Sequence, residues 1–137
     1  MHRLSESRMT AIEVVIVSFG YLHGEPPPAH LTIDLRDHFR DPHISPDLRY
    51  MTADDEPVRT AVLGTPGIPD LVEAAVVAVH AYASGPSAGL VTVASGCAGG
   101  RHRAPVFARE LAKRLLRQDG SLVSLAHRDL DKPVVQR

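Results

Sequence analysis

The sequence predicts an α/β fold, a single domain built on one mostly parallel sheet flanked by helices. Three observations carry that expectation. The run IEVVIVSFG (Ile12–Gly20) is β-branched and apolar at successive positions, as a strand buried on both faces requires. Strand-like runs then alternate with segments whose apolar residues recur at helical spacing, the pattern of parallel strands joined by helical crossovers. Finally, 137 residues with 44% hydrophobic content leave room for one core, and with 4% aromatics and no tryptophan that core must be aliphatic.

Along the chain, Ile12–Gly20 is the expected central strand, preceded by a flexible polar tail at residues 1–11. YLHGEPPPAH reads as a proline-rich loop, and LTIDLR (Leu31–Arg36) alternates as a second strand. Between His38 and Tyr50 no period is sustained, and Pro42 and Pro46 oppose regular structure. A long loop is expected there, of a kind that often carries function. In DDEPVRTAVLG an aspartate cap, Pro57 in the first turn and Gly64 at the end punctuate a short helix. A longer helix is expected from about Pro69 to Ala83, with Val72, Ala75, Val76, Val79 and Ala83 at helical spacing. Its other positions are also largely apolar, which suits the core or a contact between subunits. LVTVAS (Leu90–Ser95) is a third strand, Pro105–Gln118 a helix with Phe107, Leu111 and Leu115 on one side, and SLVSLAH (Ser121–His127) a short last strand.

The single cysteine excludes an internal disulfide framework and suits a reducing cytosol. No apolar stretch approaches the roughly 20 residues of a membrane span, and MHRLSESRMT lacks the apolar centre of a signal peptide. A cytoplasmic protein without a membrane partner is therefore expected. The net charge of −1 hides an asymmetry: residues 1–96 hold 6 Lys/Arg against 12 Asp/Glu, whereas residues 97–137 hold 9 against 4. The last third is a candidate surface for anions.

The stretch SGCAGGRHRA (Ser95–Ala104) gathers the strongest chemistry. Gly96, Gly99 and Gly100 allow successive amides to point into one concavity, the following helix adds unpaired N–H groups and the positive end of its dipole, and Arg101, His102 and Arg103 add donors for an oxyanion. A phosphate or sulfate cradle is the expected result. The same stretch satisfies C-x-x-G-x-x-R, the loop of cysteine-dependent phosphatases, with Cys97 as nucleophile, Arg103 as phosphate clamp, and Asp37 or Asp41 as general acid. Ala104 lacks the hydroxyl such enzymes usually carry there, and Gly96 stands where they have histidine. Binding without catalysis is thus the leading expectation, and the cysteine phosphatase the alternative.

GCAGGRHRA resembles the GCTGGxHRS loop in the C-terminal domain of the RNase adapter protein RapZ family, also called YvcJ-like. VSFGYLHG, DLRDHFRDPH (against DVRFLPNPH), LRYMTADDEPV (against LRxLTGxDxPV) and HRDLDK (against HRxLEK) agree in the same order, so the resemblance covers Ile12 to Lys132 and leaves residues 133–137 as a C-terminal tail. It implies a domain at 12–132 that resembles a phosphofructokinase subdomain, in a cytosolic homo-oligomer that binds small regulatory RNA and senses glucosamine-6-phosphate. By position the sugar-phosphate pocket would use Cys97, Ala98, Gly99, Gly100, His102 and Arg103, with His43 reaching in from the long loop. Arg101, Arg36 and Ser18 are expected to assist. The family's nucleotide-binding N-terminal half is expected to be missing, and Ala98 and Ala104 replace two hydroxyl donors.

RNA, if a partner, would follow the basic residues Arg109, Lys113, Arg117, Arg128 and Lys132. His23, His30, His38 and His43 crowd one segment, yet no pair has ligand spacing on a helix or a companion cysteine, so neither a metal nor another cofactor is expected.

Overall fold

A computed structural model describes residues 12–87, 89–118 and 120–137; the polar tail expected at residues 1–11 lies outside them. Four strands, β1 (Glu13–Gly20), β2 (Leu31–Asp34), β3 (Val91–Cys97) and β4 (Leu122–His127), form one sheet in the order β2-β3-β1-β4. All three pairings are parallel, as the apolar runs predict. The most continuous apolar run sits in the centre, with Val14 opposite Val91 on one side and Val123 on the other.

Three helices cover the sheet: α1 (Glu56–Leu63), α2 (Ile68–Ala83) and α3 (Arg103–Leu116). On β1 the buried residues Val14 and Ile16 belong to the same aliphatic core as Val91 and Val93 of β3 and Phe107, Leu111 and Leu115 of α3. Ala104, Ala108 and Ala112 form a second buried row on α3 at four-residue spacing, and their small size lets the helix backbone approach its neighbours closely. On α2, Ile68, Val72, Ala75 and Val79 are buried and Val77 is exposed, so its apolar stripe serves this core. No single helix among the described residues is long and apolar enough to cross a membrane.

Several boundaries shift for identifiable reasons. β3 continues through Gly96 and Cys97, so Gly96 is a strand residue. A Cβ there would lie 2.4 Å from Cζ of Phe19, whose ring packs edge-on against Tyr21. Glycine at 96 makes room for two aromatic rings rather than for a bend. β2 stops at Asp34 because the Asp34 carboxylate accepts the Arg36 N–H at 2.9 Å and turns the backbone away. α3 begins at Arg103, with Pro105 inside its first turn, where no N–H is needed. Asp55 precedes α1 as expected, but its carboxylate accepts the N–H of Thr52 instead of capping the helix.

The parallel arrangement brings the carboxyl ends of all four strands to one edge, where parallel sheets place their ligands. There the turn between β3 and α3 lies against the end of β1. A Cβ on Gly20 would sit 2.4 Å from the carbonyl carbon of Gly99, and one on Gly100 (φ +78°) would sit 2.8 Å from the Gly20 nitrogen. Gly99, by contrast, would meet only the tip of Arg137 at 3.7 Å. Gly100→Ala is therefore expected to lower unfolding free energy by at least about 2 kcal/mol, through backbone strain and collision together. Gly99→Ala should change it by less than about 0.5 kcal/mol. Urea unfolding midpoints check both, and equal losses at the two positions would contradict this packing.

Candidate functional site

Residues 98–102 form the turn between β3 and α3. Gly99, Gly100, His102 and Arg103 are buried, and the helix has no side-chain cap at its N-terminus. Among the described residues the backbone N–H groups of Gly99, Gly100, Arg101, His102 and Arg103 find no protein acceptor. Buried amides are nearly always paired, so five unpaired in succession, four of them in buried residues, at the positive end of a helix form a concavity suited to an anion. Of the neighbouring amides, that of Ala104 donates to the Cys97 sulfur at 3.3 Å.

The side chains of the turn reach away from it into the long loop. Arg103, 3% exposed, donates through Nη1 to the carbonyls of Leu35, Arg36 and Phe39 at 2.9, 2.9 and 3.1 Å, and its Nη2 lies 3.2 Å from Asp41. Arg101 donates to the carbonyls of Tyr50 and Lys132, both at 2.8 Å. His102 places Nε2 at 3.1 and 2.9 Å from the carbonyls of Leu48 and Met51. Both partners are acceptors, so Nε2 carries the proton. Burial pushes the His102 pKa down despite those two bonds, which keeps the ring neutral near pH 7.

These donors shape the segment that the sequence leaves without regular structure. Within it Pro42–Ile44 makes a short 3-10 turn, capped where the Asp41 carboxylate accepts the His43 N–H at 3.0 Å. Arg49 Nε donates to the His43 carbonyl at 2.8 Å. His43 is thereby delivered to the loop mouth, 7% exposed, its pKa lowered first by burial and then by Arg137. Burial also pushes the Asp41 carboxyl up, but Arg137, the His43 amide and Arg103 outweigh it, so Asp41 stays ionised. A carboxylate so held is poorly suited to donate a proton.

His43, Cys97, Gly99, Arg101, His102 and Arg103 thus line one cavity, which also takes in Asp41 and Arg49. Ala98 sits in the turn itself and accepts the Leu22 N–H at 2.9 Å through its carbonyl. Two residues expected to assist stand apart. Arg36 pairs with Asp34 at 2.7 Å and stacks 3.5 Å above the Tyr21 ring. Ser18 is fully buried beneath the sheet edge, its Oγ 2.6 Å from Nδ1 of His127. Neither lines the cavity.

The basic residues expected to track RNA are mostly engaged. Arg109 pairs with Asp54 and donates to the Ala53 carbonyl. Arg128 and Lys132 both pair with Asp129, at 2.9 and 2.6 Å. Lys113 lies 3.9 Å from Glu110; Lys113 is exposed on α3 and Arg117 at the helix's C-terminal cap.

Two contributors escape a reading of the sequence alone. Asp129 is fully buried and accepts the Gly20 N–H at 2.7 Å, tying the end of β1 to the turn after β4. The alternation of Arg128 and Lys132 with acids was the available signal for it. The other is the segment 133–137, expected as a tail, whose Val134, Val135 and Arg137 line the same cavity as the glycine turn. Nothing in its composition points there.

Burial would raise the Asp129 pKa, but Arg128, Lys132 and the Gly20 amide pull it down to about 2 from an ordinary 3.8. A depressed carboxyl contributes stability in full above its unfolded pKa and loses it as pH falls through the folded value. Acidification from about pH 4 to pH 2 is thus expected to unfold the protein progressively, partly through this group. Asp129→Asn should cost about 3 kcal/mol at pH 7 and flatten that part of the stability profile. Denaturant titrations across pH check it, and a variant whose acid limb overlays wild type would remove Asp129 from that role.

Comparison with known proteins places this geometry in a lineage. The profile of the RapZ C-terminal domain matches residues 12–131. A nucleotide-binding protein of Thermobifida fusca is 38% identical over 130 residues, covering 93% of this chain and 44% of that protein. One from Salinispora tropica is 39% identical over 124 residues, covering 88% and 40% respectively, and one from Acidothermus cellulolyticus is 36% identical over 135 residues, covering 93% and 43%. The chain spans less than half the length of these curated relatives. With nearly all of its length matched, and with the GCAGGRHRA turn set at the carboxyl edge of a parallel sheet, the chain belongs to the RapZ C-terminal domain family.

Proposed function

We propose that this chain is a binding module that takes up a phosphorylated small molecule in the turn between β3 and α3. The observation that carries the reading is the run of amides from Gly99 to Arg103 without a protein acceptor, four of the five residues being buried, at the N-terminus of α3. Family membership supports it. An amino-sugar phosphate such as glucosamine-6-phosphate fits best, because the ionised Asp41 carboxylate stands beside the cradle and offers an ammonium group a partner. In this reading the bound phosphate receives backbone N–H groups, His43 stands at the mouth, and Arg103 holds the walls by its carbonyl bonds. The cysteine-phosphatase alternative is weaker on the same geometry: both terminal nitrogens of the Arg103 guanidinium are engaged, Nη1 by three carbonyls and Nη2 by Asp41, and Asp41 is held ionised.

Calorimetry with inorganic phosphate, glucose 6-phosphate and glucosamine 6-phosphate tests the reading. Glucosamine 6-phosphate is expected to bind about threefold more tightly than glucose 6-phosphate, one ion pair's worth. Gly99→Val, which fills the turn from a position that tolerates a side chain, should abolish both. Equal affinities would leave an anion site but remove the amino sugar, and no binding by any of the three would remove the site.

The output of such a module in a cytoplasmic regulatory adaptor is RNA binding through the exposed cations of α3. Retention of RNA should fall steeply with salt and drop further, by about tenfold, in the Lys113→Glu, Arg117→Glu double variant. Salt-insensitive retention, or none in wild type, counts against this output.

A further inference from the structure

The segment after Lys132 crosses back over the turn between β3 and α3. Val134, Val135 and Arg137 face His43, Cys97 and Gly99 across a gap of only about 10 Å³. That is scarcely room for one water molecule, and an orthophosphate ion is several times larger. The segment is fastened at both ends: Arg101 donates to the Lys132 carbonyl at 2.8 Å, and the Arg137 guanidinium lies 2.7 Å from Asp41. Between the fasteners there is no regular secondary structure, and Val134 and Val135 are only half-buried. The Arg137 and Asp41 side chains keep 25% and 20% of their surface exposed, and a single such pair at the surface is worth on the order of 1 kcal/mol, so releasing the Arg137 end costs little compared with unfolding the core.

We propose that residues 133–137 form an autoinhibitory strap that closes the turn, with Arg137 as an internal competitor for the Asp41 carboxylate, and that an oxyanion ligand binds only when the strap lifts. The ligand's side of this inference rests on the function proposed above. Apparent affinity then equals the intrinsic affinity multiplied by the fraction of molecules with the strap open. Anything that weakens the Arg137–Asp41 pair, added salt included, opens the turn.

Cys97, the only cysteine, is 2% exposed and lies under the strap, so its alkylation by iodoacetamide reports opening without any ligand. Wild type, Arg137→Gln and a chain ending at Pro133 are compared for alkylation rate, urea unfolding midpoint and orthophosphate affinity. Relative to wild type, alkylation is expected to be about threefold faster in Arg137→Gln and about tenfold faster in the shortened chain, at unchanged unfolding midpoints. Orthophosphate should bind more tightly by the same factors. Equal alkylation rates in all three proteins overturn the strap. Weaker phosphate binding by the shortened chain also overturns it, since Arg137 would then be a ligand contact. Phosphate binding by none of the three removes the anion-site reading, while the alkylation rates still decide whether the segment closes the turn.

Discussion

The pairing of buried cationic and imidazole donors with backbone carbonyls holds this molecule's functional edge together. A loop with no helix or strand leaves its carbonyls without partners, and burying such groups unpaired costs roughly 1–3 kcal/mol each. Here Arg103, His102, Arg101 and Arg49 answer eight carbonyls between Leu35 and Met51 and one at Lys132. Three of the four donors come from one three-residue string at the start of α3. The glycine turn and the long loop are therefore one object, and neither keeps its shape without the other.

This arrangement changes what the charge asymmetry means. An excess of arginine in the last third resembles a surface for polyanions, yet most of those side chains point inward to carbonyls or pair with Asp41, Asp54 and Asp129. Arginine suits the inward role because its planar fork spreads several N–H donors over several acceptors and remains charged under burial. The electrostatic appeal to an anion is left to the backbone. Amides and a helix end act at short range and cannot be titrated away.

The glycines act on different physical grounds. Gly96 yields space to Phe19 and Tyr21, Gly20 and Gly100 let two backbones touch, and only Gly100 of this group uses a positive φ. Gly99 alone faces the cavity with space beside it. Close contact of β1 with the turn is stapled by Asp129, so the end of β4 takes part in shaping a site formed by β3 and α3. In the same way the segment 133–137, remote in sequence from His43, shares a cavity with it.

By itself the sequence determined the architecture and the family. Apolar periodicity is local, and it was enough to specify four parallel strands, three helices and a glycine-rich turn at the sheet's carboxyl edge, because each element's pattern follows from its own geometry. The chain's resemblance to its family was likewise legible in GCAGGRHRA and HRDLDK. Tertiary structure alone decided the direction of each charged side chain. Arg103 was read as a clamp and holds carbonyls, Arg36 and Ser18 were read as helpers and lie elsewhere, and Arg137 was read as tail and sits on Asp41. The reason is that a guanidinium reaches several ångströms and binds any acceptor left unpaired by folding, and which carbonyls those are is set only when strands, helices and loop have closed around one another.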